Sequence, residues 1–170
     1  MRPLNNEVFY ANTDLVITSR KDISHLKELA SANPRRRVRL CTHRDIDDRI
    51  HEMLIVLGKG NYVRPHRHTN KPESFHVIEG VADVILFGED GKAYQIVKMG
   101  EYHSGRQFFL RIDKPVYHSV VVASGFFVFH EATSGPFNRD DTEFAPWAPE
   151  ESQAVAGNAF MKNALCNLES

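Results

Sequence analysis

Gly60-Asn61-Tyr62-Val63-Arg64-Pro65-His66-Arg67-His68-Thr69-Asn70-Lys71-Pro72-Glu73-Ser74-Phe75-His76-Val77-Ile78-Glu79-Gly80 is the stretch on which the fold turns. Side chains alternate faces along a strand, so His66 and His68 point to the same side and can converge on one cation. Glu73 opens the next strand after a short turn, where an antiparallel neighbour would set its carboxylate beside the pair. A third histidine, His118, starts a later strand after the tight Asp113-Lys114-Pro115 turn. A His-x-His alone arises often by chance. Here it is joined by a glutamate, by glycines at both ends and by strand-like flanks. A carboxylate buried among imidazoles without a cation would carry a heavy desolvation cost. The expected ligand set is therefore His66, His68, Glu73 and His118. The cation expected is one divalent transition metal, with Fe, Mn, Zn and Ni all compatible with these donors. No cysteine enters the set, unlike most closed structural zinc sites, and coordination positions would stay open for a substrate.

Working outward, short runs of β-branched and aromatic residues recur between about 35 and 132, each ended by glycine or proline. They include His51 to Leu57, Glu73 to Glu79, Val81 to Phe87, Tyr94 to Met99, Gln107 to Ile112, Val116 to Ala123 and Phe126 to Glu131. This punctuation predicts a mainly β, single-domain sandwich or barrel. Upstream, residues 1–34 form an arm with one helix: Ile23, Leu26, Leu29 and Ala30 are helically spaced, Asp22 is a candidate N-cap, and Asn33-Pro34 stops it. Downstream, 133–170 reads as a strap and tail. Ala145-Pro146-Trp147-Ala148-Pro149 cannot be a central strand, and Trp147 would anchor it. The last twenty residues fit either a short helix or disorder.

Composition narrows the function classes. The chain has 170 residues, 42% hydrophobic and 25% charged, with net charge −1, as expected of one soluble domain. That balance gives no reason to expect nucleic acid or membrane as a partner. No apolar run suits a signal peptide, and Cys41 and Cys166 stand far apart, so the expected location is cytoplasmic with free thiols. Nine histidines are many for this length, and most are expected to be packed or solvent-facing.

The spacing G-x5-H-x-H-x4-E-x6-G matches the first cupin motif. Beyond it, Pro34-Arg35-Arg36-Arg37, His51-Glu52-Met53, Lys71-Pro72-Glu73-Ser74-Phe75-His76-Val77, Gly135-Pro136-Phe137 and Ala145-Pro146-Trp147-Ala148-Pro149 resemble the WbuC family of cupin-fold metalloproteins. The resemblance covers most of the chain between about 20 and 149. It implies a small antiparallel β-barrel or jelly roll with the metal inside, an association with bacterial surface-polysaccharide gene clusters, and a homodimer. The second cupin motif departs from its pattern: Asp113 and Pro115 stand where proline and glycine are expected, and Val122 where asparagine is common. His118 keeps its place.

Arg64 shares parity with the two histidines, and Arg37 and Arg39 share a strand face with Arg35, leaving Val38 and Leu40 on the other. These arginines are candidates to hold an anion. A solvated edge is the alternative reading of the arginine run. The function expected is a metalloenzyme acting on a small polar molecule, such as a sugar phosphate or nucleotide sugar. Isomerisation, epimerisation and oxygenation are all compatible with the ligand set. A non-catalytic, metal-dependent carbohydrate-binding protein is the rival class. Fold alone does not choose between them.

Overall fold

Two long strands, β4 (Ile50–Gly58) and β11 (Phe126–Ser134), pair in antiparallel register from Ile50↔Ser134 to Gly58↔Phe126 and form the spine of the larger sheet. β3 (Arg37–Cys41) flanks β4, while β6 (Glu73–Glu79) and then β9 (Phe109–Ile112) flank β11. The N-terminal β1 (Arg2–Pro3) and β2 (Val8–Tyr10) extend the other edge, β2 running parallel to β3. A smaller sheet carries, in order, β12 (Thr142–Phe144), β5 (His66–His68), β10 (Tyr117–Val122), β7 (Val81–Phe87) and β8 (Ala93–Gly100). These relationships come from a computed structural model that describes residues 1–169.

The sheets pack face to face. Leu57, Phe75, Val77, Phe127 and Phe129 of the larger sheet meet Ala82, Val84, Met99, Val120 and Val122 of the smaller one. Period-two alternation makes this possible, each strand sending every second residue into the shared core. The outer face of the larger sheet is covered by α1 (Arg20–Ala32), whose Ile23, Leu26 and Ala30 pack on Val38, Leu40, Leu54, Val56 and Val128. The smaller sheet is covered by the Ala145–Pro149 strap and α2 (Ala154–Glu169), with Ile85, Phe87 and Tyr117 against Ala148, Trp147, Phe160 and Met161.

The turn from β6 to β7 carries the chain from one sheet to the other. Gly80 sits there at φ +85°, a region costly for a side chain, and a Cβ would run into the Phe126 carbonyl oxygen. The mainly β jelly roll expected from the punctuation is present, as two open sheets and not a closed barrel. The residues between β5 and β6 carry the chain out of one sheet into the other, so β6 pairs with β11 and β9 and never with β5.

Other departures are local. Ser19, not Asp22, is the N-cap of α1. Asp22 lies three residues on, where its carboxylate accepts hydrogen bonds from the Ser19 N–H (2.8 Å) and Oγ (2.6 Å). The final segment is helical as far as Glu169, packed through Phe160 and Met161 on the smaller sheet, with Gly157 so close to the Tyr62 ring that a Cβ would collide with it. Among the described residues, no helix is long and apolar enough to cross a membrane.

Candidate metal centre

The three histidines meet because of strand register. β5 is only three residues long and lies between β10 and β12, with His66 directly opposite His118 and His68 opposite Thr142. The His66 and His118 ring centroids are 4.6 Å apart, and those of His66 and His68 are 5.2 Å apart. One ligand nitrogen from each ring lies within 4.8 Å of the other two. Backbone carbonyls fix which nitrogen is free. His66 Nδ1 stands 2.9 Å from the Arg64 carbonyl oxygen, and His118 Nδ1 stands 2.9 Å from that of Val116. A carbonyl oxygen only accepts, so Nδ1 carries the hydrogen in both rings and the lone pair of a neutral ring is on Nε2. His68 Nδ1 is held by Thr142 Oγ1 at 3.2 Å.

Glu73 reaches the cluster from the opposite sheet, not from a strand neighbouring β5. It is 3% exposed, with Oε1 2.7 Å from His118 Nε2 and Oε2 3.4 Å from His68 Nε2. It lies outside the mutual set of three nitrogens while touching two of them. The 2.7 Å contact is close but not aligned. Neither Glu73 Oε1 nor His118 Nε2 has a hydrogen-bond partner, although both are buried. A carboxylate oxygen and an imidazole nitrogen buried side by side, neither with a hydrogen-bond partner, are both of the kind that ligates a cation. Buried polar atoms without partners are rare enough to require such an explanation. The donor set fits a divalent transition metal.

The electrostatics agree. Burial, reinforced by His118 and opposed by Glu73, drives His66 down to about 3 and keeps it neutral. Burial alone would raise Glu73, but His118 and His68 together hold it well below the usual glutamate range. Burial likewise disfavours charge on His118, yet the adjacent Glu73 carboxylate outweighs it and raises His118 above the ordinary histidine value.

The cluster lines a cavity of about 430 Å³ between the sheets. That volume is within the range of small-molecule sites, roughly 300–1,000 Å³. The three arginines singled out from sequence fare differently. Arg64 is not among the cavity-lining residues. It binds Glu150 (2.5 Å) and the Ala145 carbonyl (3.1 Å) and lies over the Phe144 ring. Arg37 lines the cavity but is paired with Glu7 (2.9 Å) and Glu151 (3.2 Å). Arg39 lines it with only a 3.9 Å contact from Nη1 to Met53 Sδ.

Of the other histidines, His51 lines the far wall and stacks on His43 at 4.1 Å. His76 faces outward, His103 is exposed, and His130 pairs with Glu52 at 3.5 Å. Tyr62 and Tyr117 spend their hydroxyls on the Pro149 carbonyl and Glu143. Sequence reading passed over Glu131, a cavity residue. The signal was present: Phe127, Phe129 and Glu131 are spaced by two, which puts a glutamate on the apolar face of its strand.

Two face-to-face sheets, antiparallel apart from the β2–β3 pair, hold the histidine cluster between them in a jelly-roll arrangement. In sequence, residues 18–99 match a family model described as a domain of unknown function (DUF6016). No curated protein matches the chain. Among solved structures, protein SO0799 from Shewanella oneidensis is similar with a TM-score of 0.51 at 16% identity, covering 73% of this chain and 78% of that one. An oxalate decarboxylase, OxdC, from Bacillus subtilis is similar with a TM-score of 0.46 at 22% identity, over 58% of this chain and 25% of that one. The capsular polysaccharide assembling protein CapF from Staphylococcus aureus is similar with a TM-score of 0.47 at 17% identity, over 62% of this chain and 34% of that one.

Proposed function

We propose that this chain is a metal-dependent cupin of the WbuC kind, in which His66, His68 and His118, with Glu73, hold one divalent transition metal beside a cavity for a small anionic substrate. The observation that carries the reading is the unaligned 2.7 Å contact between Glu73 Oε1 and His118 Nε2, both buried and both otherwise without a partner. A metal held there would supply Lewis acidity next to the cavity. The chain's own residues supply the rest. The Arg64 and Val116 carbonyls fix the ring orientations, the aromatic wall of Phe75, Phe129 and Phe144 limits water, and Arg39 offers a positive charge. A sugar phosphate suits a cavity of this size and charge, and a role in bacterial surface-polysaccharide metabolism, by isomerisation, epimerisation or oxygenation, is the assignment we favour.

The test is elemental analysis of protein purified without chelator or affinity metal, alongside the His66→Ala and His118→Ala variants. Near-stoichiometric metal in the wild type, lost in both variants while each still folds, is the expected result. Wild-type protein that stays metal-free and resists loading with manganese, iron, zinc and nickel in turn would overturn the proposal.

A further inference from the structure

The mouth of the cavity is apolar where packing does not require it. Leu4, Ile46, Phe137 and Phe144 all line the cavity, yet they are 63%, 52%, 51% and 43% exposed, so they stand where it opens to solvent. They come from four separate segments: Leu4 follows β1, Ile46 lies between β3 and β4, Phe137 follows β11, and Phe144 ends β12. The Phe137 N–H donates to the Ile46 carbonyl at 2.7 Å, which ties two of these segments together. Phe144 pairs with His66 across β12 and β5, and their ring centroids are 6.0 Å apart, so the collar begins at the histidine cluster. Among the described residues, none of the four packs into the hydrophobic cores between or outside the sheets. Deeper in the cavity, Phe75, Val120 and Phe129 are buried against one another and have little area left to cover. Hydrophobic gain follows the apolar area removed from water, so a ligand would find it at the collar and not in the interior. Exposed apolar side chains grouped around one opening, and not scattered singly, mark a binding surface.

We propose that the ligand of this cavity is amphipathic: its anionic end lies at the histidine cluster, and a hydrocarbon group of several carbons leaves through the mouth and lies on Leu4, Ile46, Phe137 and Phe144. This deepens the metal-dependent reading and rests on it; what it adds is the apolar half of the ligand. A sugar phosphate carrying an alkyl or acyl group meets both demands, whereas a bare one leaves the collar in water. Charge and shape together choose this occupant. Lys71 lines the cavity two residues before Glu73, and its ammonium is 5.6 Å from the centre of the Phe137 ring. Positive charge at the seam between collar and cluster matches a ligand with a negative head and an apolar tail. The four side chains surround an opening, and a second copy of the chain seated on them would close the way from solvent to the histidines. The contact is non-covalent, and no bond of the ligand changes.

The experiment is titration calorimetry on manganese-loaded protein at neutral pH with two homologous series, acetate to octanoate and methyl to octyl phosphate, with metal content measured on every sample. In at least one series, affinity should rise about two- to fourfold for each added methylene, the upper figure being that of a fully buried one. Phe137→Ser and Ile46→Ser replace exposed side chains, so both should fold, keep their manganese and bind the shortest probes as wild type does. Their affinity for the octyl probe should fall at least about fivefold. Ile78→Ser, equally an exposed apolar residue but outside the cavity, should change neither. Binding of neither series, or affinity that does not rise with chain length, overturns the proposal, as does a rise that survives both collar substitutions. Sedimentation velocity tests the other occupant: a wild-type dimer that Phe137→Ser dissociates overturns the proposal in favour of a self-interface. Failure to load manganese, or any other divalent metal, is a separate result and overturns the metal reading itself.

Discussion

Acid should compete with metal at this site, and the structure sets the size of the effect. His66 is neutral throughout the accessible range, but His118 holds its proton above the ordinary value of 6.5 because Glu73 lies against it. A protonated His118 has no lone pair to give, so metal must displace one proton there whenever the pH is below the folded value. Affinity then falls about tenfold, or about 1.4 kcal/mol, for each pH unit below it. At a hundredfold excess over Kd, bound metal stabilises the fold by about 2.7 kcal/mol. For a chain of this size that raises Tm by roughly 5–10 °C. Two pH units lower, the same metal concentration equals Kd and contributes about 0.4 kcal/mol, little more than 1 °C. The metal-free protein moves the opposite way. The raised His118 stabilises it fully below 6.5, and that contribution is lost as pH rises through the folded value; the lowered Glu73 contributes above 4.5 and is lost in acid. Differential scanning calorimetry with and without manganese, across a pH series, measures both arms. A metal-induced rise in Tm that does not shrink in acid, or that survives His118→Ala, would refute the reasoning.

Three further outcomes follow from the packing. Arg64→Ala releases the strap from the segment leading into β5 without removing a ligand, so metal content should be unchanged while stability falls by about 1–2 kcal/mol, mostly from the lost hydrogen bond to the Ala145 carbonyl, since the Glu150 partner is largely exposed; urea melts with elemental analysis check both halves. Gly80→Ala adds a Cβ against the Phe126 carbonyl at a positive φ, and urea unfolding should show a loss of about 2 kcal/mol or more. Leu26→Ala opens a cavity beneath α1, on the side of the larger sheet away from the histidines, and should cost about 2–5 kcal/mol by the same assay with manganese stoichiometry unchanged in the folded protein.

Much of the sandwich was legible because strands with one buried face carry a period of two. Glu73–Glu79 and Val81–Phe87 fall where glycine punctuation placed them, and Val38 and Leu40 do pack beneath α1 while Arg37 and Arg39 line the cavity. What local pattern could not supply was sheet membership. Glu73 follows His68 closely in sequence yet belongs to the other layer, and only long-range pairing of β6 with β11 decides that. β1, β2 and β12 are two or three residues long, too short for any period to show. α2 is rich in alanine and asparagine, and its small residues suit close packing on Tyr62 more than they announce an apolar stripe. Parity finds the face of an arginine side chain but not the carboxylates that Glu7, Glu150 and Glu151 bring from distant segments.

The position of β12 bears on how the protein is made. β5 carries two of the three histidines, and its outer edge is covered by residues 142–144, which leave the ribosome long after His66, His68 and even His118. Until then Thr142 is not there to orient His68, and three residues of β5 hang from β10 alone. On the metal-dependent reading, a nascent chain stalled before Thr142 should capture metal more weakly than the finished one, with loading following the closing of the smaller sheet.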